Sequence, residues 1–323
     1  MSPTLKKILK TLLPLLLGVF LIWYSVSSAT PQERATLWNN ITSANPGWIF
    51  ISLVCSLLSH LSRAYRWNYL LQPLGHSISL KNSFMALMMG YVSNLGIPRS
   101  GEVLRAGTAR TYASIPFEKG FGTIITERII DLIMLLLIVL VALFLQTQVL
   151  LLYFESNKIN PLLPLLAALI LVFLAFMILK IMRRSSNSVI KKITSLIKGM
   201  VEGIISITKM QKKVPFILHT LFIWAMYFIM FYIMKNTVVE TTNVGVQGML
   251  LAFIAGAFAV STTNGGIGVY PIAVGLVLSL YGISKENGEA LGWIIWGSQT
   301  LFNLVIGGLS FLFISLLNSK KNT

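Results

Sequence analysis

The chain has 323 residues, of which 55% are hydrophobic and 11% charged, and its mean hydropathy is +0.77. It is too apolar for a soluble globular domain, where about a quarter of residues are charged. The formal charge of +16 does not argue for nucleic acid, because the lysines and arginines sit in short links between apolar runs rather than on one amphipathic surface. Cys55 is the single cysteine and His60, His76 and His219 are the histidines. They assemble neither a disulfide framework nor a spaced metal motif, so no metal and no cofactor is expected. The composition predicts an all-α, polytopic integral membrane protein.

Lys6, Lys7 and Lys10 mark the cytoplasmic start of a first span, Ile8 to about Val26. This start imitates a cleavable leader with Ser25-Val26-Ser27 as its small-residue site, but a retained span is expected. Ser27 to Asn45 reads as a polar link facing outward, in which Asn40-Ile41-Thr42 matches a glycosylation sequon. Pro46 opens the next span, which runs to Leu71 and carries Arg63 and Arg66 in its last third. Three residues apart, these arginines share a face, where they either snorkel to the interface or bind phosphate.

Phe84 to Asn94 is apolar but too short to cross, since a span needs about 20 residues. It ends in Gly96, Pro98 and Gly101, residues that interrupt a helix, and the chain resumes with Arg99, Glu102 and Arg105. The pattern predicts a re-entrant hairpin open to the cytoplasm. Phe121 to Leu145 is a full span holding Glu127, Arg128 and Asp131 on one side of its first half. They form an internal salt bridge, a partner for Arg105 or Arg99, or a proton site.

After an outward link, Pro161 to Met182 returns inward to residues 183–213, a basic amphipathic loop expected to lie on the anionic cytoplasmic leaflet. Pro215 to Met234 crosses outward again. Met249 to Val260 is a second short apolar run, ended by Asn264, Gly265, Gly266, Gly268, Tyr270 and Pro271. Those glycines fit neither a Walker loop nor a dinucleotide fingerprint. Ala290 to Leu317 forms the last span, with Gln299 and Asn303 four apart as interhelical glue or cavity lining.

The total is about six full spans plus two broken hairpins, opening from opposite sides. The order suggests an inverted repeat of about 1–147 and 160–318 within one membrane domain, 1–323. In transporters, paired Gly/Pro-interrupted segments point to the substrate site.

Three stretches together resemble the lysylphosphatidylglycerol synthase transmembrane-region family, the flippase-like domain of multiple peptide resistance proteins. They are Arg63-x-x-Arg66-Trp67-x-x-Leu70-Leu71, then Gly90-Tyr91-x-x-Asn94-x-x-x-Pro98-x-x-x-Glu102-x-x-Arg105, then Glu127-Arg128-x-x-Asp131. The resemblance covers almost the whole chain and implies a helical domain that moves a lipid across the bacterial inner membrane. Family members often carry an acidic residue soon after the second break, where this chain has Tyr270-Pro271. They also often carry an arginine in the last helix, near Gln299. The soluble aminoacyl-transfer domain of the synthases is not expected here.

The functional expectation is a lipid flippase-like transporter, not an enzyme, with membrane phospholipids as partners and both termini cytoplasmic. Arg63, Arg66, Arg99 and Arg105 are expected to attract a headgroup phosphate. Glu102, Glu127 and Asp131 are expected to hold those arginines apart or to accept an ammonium, with Asn94, Arg128, Asn264, Tyr270, Gln299 and Asn303 lining the cavity. A membrane enzyme using Glu102 or Glu127 as general acid or base is one rival, and a non-transporting scaffold is another. A homo-oligomer is left open.

Overall fold

The computed structural model describes residues 27, 30–97, 99–147, 160, 210–263 and 265–318. The first span, Pro98, the span from Pro161 to Met182, nearly all of the basic loop 183–213, Asn264, Lys320 and Lys321 lie outside the described residues. The described residues are helical, with no strand among them. Four of their helices are long and apolar enough to cross a membrane.

The elements are α1 (Pro31–Thr42), α2 (Pro46–Leu71), α3 (Leu80–Gly96), α4 (Ser100–Ala113), α5 (Phe117–Leu145), α6 (Lys213–Ile233), α7 (Val246–Thr262), α8 (Val269–Ser279) and α9 (Lys285–Asn318). The four long apolar helices are α2, α5, α6 and α9. The chain falls into two compact units, residues 1–125 with 214–323, and residues 126–213.

One part of the expected polar link is a helix. α1 starts with a capping box, in which the Thr30 side chain accepts from Glu33 N–H and the Glu33 carboxylate accepts from Thr30 N–H at 2.6 Å. This satisfies two orphan amides, and Pro31 supplies a preset first turn. α2 begins with a single side-chain cap, Asn45 Oδ1 accepting from Gly47 N–H at 2.8 Å ahead of Pro46.

In the first unit, the broken segments fold as two antiparallel hairpins. α3 and α4 meet where the Gly101 Cα hydrogen faces Gly90: a Cβ at Gly101 would collide with the Gly90 carbonyl oxygen. α7 and α8 close in the same manner, with Gly256 against the Tyr270 ring and Gly248 against Tyr281.

α9 packs antiparallel to one arm of each hairpin, α8 and α3. Its N-terminal half takes α8 through Gly288 on Gly275 and Gly292 on Pro271, and its C-terminal half takes α3 through Gly307 on Met88 and Val92. Beyond that crossing, Asn82 and Asn318 exchange amide hydrogen bonds at 3.0 Å. The α7–α8 hairpin therefore opens at the N-terminal end of α9, and the α3–α4 hairpin at its C-terminal end. This is the opposed arrangement expected from the order of the spans.

Candidate functional site

The tip of the first hairpin is built from its own polar side chains. Asn94 Oδ1 accepts from Gly101 N–H at 2.8 Å, and the Ser93 and Ser100 hydroxyls lie 2.6 Å apart. Asn94 thus caps α4, a structural use of a residue expected to line a cavity. Arg99 is exposed at the turn and takes the left-handed conformation, φ 60°.

The second tip relies on backbone freedom. Gly265, Gly266 and Gly268 have φ of 67°, 84° and 71°, the region glycine enters without steric cost. Gly266 N–H donates to Thr263 Oγ1 at 3.0 Å, and the Trp296 indole N–H donates to the Gly265 carbonyl at 2.7 Å. Tyr270 and Pro271 are buried at the α7 and α9 contacts. The two tips touch: a Cβ at Gly265 would lie 2.7 Å from Leu95 Cδ2.

Toward the Leu71 end of α2, three arginines are buried, Arg63, Arg66 and Arg105. Each guanidinium lies over an aromatic ring: Arg63 over Tyr227 at 5.7 Å, Arg66 over Phe216 at 5.3 Å and Arg105 over Trp67 at 4.0 Å. The negative ring face attracts the cation, and the attraction grows as water is removed. Arg66 Nη1 also donates to Thr220 Oγ1 at 2.7 Å, and Trp67 Nε1 donates to Thr123 Oγ1 at 2.9 Å. Glu102 lies one turn before Arg105 on α4 and is half-buried.

The structure therefore brings Arg63, Arg66 and Arg105 to adjacent turns of α2 and leaves Arg99 at the hairpin tip. Gln299 serves as interhelical glue, its amide donating to Ser52 Oγ at 3.2 Å, and that hydroxyl donates to the Met230 carbonyl at 3.0 Å. Asn303, one turn on, is half-buried beside Phe302. On α5, Arg128 pairs with Asp131 at 3.6 Å, one of the outcomes expected from their spacing, while Glu127 is fully buried.

Several polar residues escaped the sequence reading. His60 is buried with Nε2 3.2 Å from Ser56 Oγ, and Ser62 Oγ lies 2.7 Å from His219 Nδ1. Glu289 is buried one turn from Lys285, its carboxylate 3.8 Å from the ammonium. It was missed because the last helix starts at Lys285 rather than Ala290. Ser284, whose hydroxyl accepts from Asn287 N–H at 3.4 Å, was the available cap signal.

Among known proteins, residues 11–307 match the family described as the lysylphosphatidylglycerol synthase TM region. The UPF0104 membrane protein MJ1595 of Methanocaldococcus jannaschii is 27% identical to the chain over 94 residues, 28% of this chain and 28% of that protein. The match thus spans under a third of that relative's length. No solved structure matches. A multi-pass, all-helical membrane protein with a family match over most of its length, this chain belongs to the lysylphosphatidylglycerol synthase TM region family.

Proposed function

We propose that the chain carries an anionic lipid headgroup across the bacterial inner membrane through a polar path between its two opposed hairpins, with both termini cytoplasmic. The observation that carries this reading is the contact of the hairpin tips at Leu95 and Gly265. Two half-depth segments entering from opposite ends interrupt the apolar layer there. Non-helical backbone at membrane depth is tolerated where it is buried in protein or lines a wet cavity.

A charged residue at the centre of a bilayer costs about 2.5–3.5 kcal/mol on insertion scales, and a lipid headgroup faces a barrier of the same origin. Arg63, Arg66 and Arg105 lower it by offering guanidinium edges to the phosphate while their faces rest on Tyr227, Phe216 and Trp67. Glu102 separates Arg105 from the substrate or accepts an ammonium. The acyl tails stay in lipid, and the basic stretch 183–213 holds the anionic leaflet. In this reading the chain neither makes nor cleaves lipid.

The test is movement of fluorescent phosphatidylglycerol between leaflets of reconstituted vesicles. Arg105→Ala and Glu102→Gln should each slow it by about tenfold or more, the scale expected when a transition state is deprived of one strong polar interaction. Wild-type rates in both folded variants would show that the headgroup passes elsewhere.

A further inference from the structure

The headgroup reading uses only the two arginines of a longer buried polar stripe on α2. Ser52, Ser56, Ser59, His60, Arg63 and Arg66 are each 5% exposed or less and recur at three- and four-residue intervals. They line one side of the helix for about 21 Å, at 1.5 Å per residue. The stripe continues through Ser52 to Gln299 at one end. At the other it reaches Arg66 and Thr220.

His60 lies near the middle of this 26-residue span. Its Nε2 is 3.2 Å from the Ser56 hydroxyl. The ring sits 4.9 Å from Tyr91 of α3 and stacks at 6.3 Å on Phe302 of α9. Nδ1 of His60 and Oδ1 of Asn303 are both buried, and neither makes a hydrogen bond within ordinary distance and angle limits, yet the two side chains are close enough to interact. The Asn303 amide oxygen is the candidate acceptor for a proton on Nδ1, once the two side chains turn toward each other.

An apolar side chain would fill this space without burying a polar ring. Imidazole is the side chain whose ordinary charge change lies near neutral pH, and ionisable groups inside spans mark proton relays. Buried one turn from the Arg63 guanidinium, His60 holds a proton only when an anion offsets that cation. We infer that His60 is a proton-binding site linked to the anionic headgroup at Arg63 and Arg66, so that proton and headgroup cross together. The inference rests on the headgroup reading of those arginines.

Arg63 is one turn along α2 from His60. A phosphate at Arg63 attracts a proton on His60, and the proton attracts the phosphate, so each ligand strengthens binding of the other by the same factor. Titratable or charged groups that reach this side of α2 include Tyr91 of α3, 4.9 Å from the His60 ring, Arg105 of α4 over Trp67, and Tyr227 and His219 of α6 against Arg63 and Ser62. α9 presents the uncharged Gln299, Phe302 and Asn303.

Proteoliposomes holding a pH-reporting dye and fluorescent phosphatidylglycerol read both ligands. Wild-type headgroup movement should rise roughly threefold or more across a one-unit pH gradient, with tenfold the ceiling for one proton, and proton uptake should accompany it. His60→Gln, whatever its absolute rate, should lose both the pH response and the uptake. Asn303→Leu should shift the pH of half-maximal rate toward acid. A retained pH response in His60→Gln overturns the inference. If that variant does not fold, an unchanged midpoint in Asn303→Leu overturns it. Movement that is insensitive to pH in the wild type sinks the proton site and leaves the headgroup reading standing. No movement at any pH sinks both.

Discussion

The guanidinium of Arg105 lies 4.0 Å from the centre of the Trp67 ring, tying the returning arm of the first hairpin to α2. Trp67 is fully buried and anchored in turn on Thr123. Trp67→Phe keeps a ring face and loses the indole N–H, and should cost about 1–2 kcal/mol. Trp67→Leu also opens a cavity and should cost about 3 kcal/mol. Thermal unfolding in detergent ranks the two, and Arg105-dependent headgroup movement should fall in the same order.

Gly101 permits the closest approach in the first hairpin, where any Cβ would strike the Gly90 carbonyl oxygen. Gly101→Ala must push two backbones apart and should destabilise by about 1–3 kcal/mol. Gly107 on the same helix faces open space. Gly107→Ala should be neutral or stabilising by about 0.5–1 kcal/mol. Equal unfolding temperatures for the two variants would contradict this packing.

Gly265 faces two obstacles to a side chain, φ of 67° and the Leu95 methyl 2.7 Å from its virtual Cβ. Gly265→Ala should cost about 1–2 kcal/mol for the backbone plus an overpacking term of similar size. Adding Leu95→Ala should return the second part and leave the first. Strict additivity in the double-mutant cycle would mean that the tips do not touch.

The opposed hairpins predict opposite accessibility. In a Cys55→Ser background, a cysteine at Thr111, exposed at the open end of the first hairpin, should react with an impermeant reagent from one face of the membrane. A cysteine at Leu280, 73% exposed at the open end of the second, should react from the other face. Labelling of both from the same side would reject the arrangement.

At the head of α1, the Glu33 carboxyl is held below the usual carboxylate range by the Thr30 backbone N–H first, then by the Thr30 side chain. A lowered folded pKa means that this contribution is present above the ordinary glutamate pKa and is lost as pH falls through the lowered value. Amide exchange over the first turn of α1 should therefore quicken in acid relative to its intrinsic pH trend. Glu33→Gln should remove that extra acid dependence, whereas Thr30→Ala, which keeps the backbone N–H, should remove only part of it.

Among the described residues the long spans were legible because their punctuation is local. Asn45-Pro46 starts α2, and the apolar run carries it to Leu71, the end the sequence indicates. α1 was hidden by its polarity, although Thr30-Pro31-Gln32-Glu33 spells its capping box. Gly96, Gly101 and the glycines after Asn264 disclosed two breaks, but not that one would rest on the other. The Leu95–Gly265 contact joins residues far apart in the chain, and no local rule encodes it. The same holds for the aromatic seats of Arg63 and Arg66, which arrive on α6. Arg99 and Arg105 looked like one cluster in sequence. A helix turn and a half separates an exposed tip from a buried face.

α9, with 34 residues, is about 51 Å long at 1.5 Å per residue, whereas a bilayer's hydrocarbon layer is about 30 Å thick. It must lean or protrude, and both hairpins are seated on it by glycine seams, one toward each end. It works as a beam with a load at either side of its middle. The two seams flank Trp296, whose indole N–H holds the Gly265 carbonyl, so a change in the lean of α9 is felt by both hairpins together.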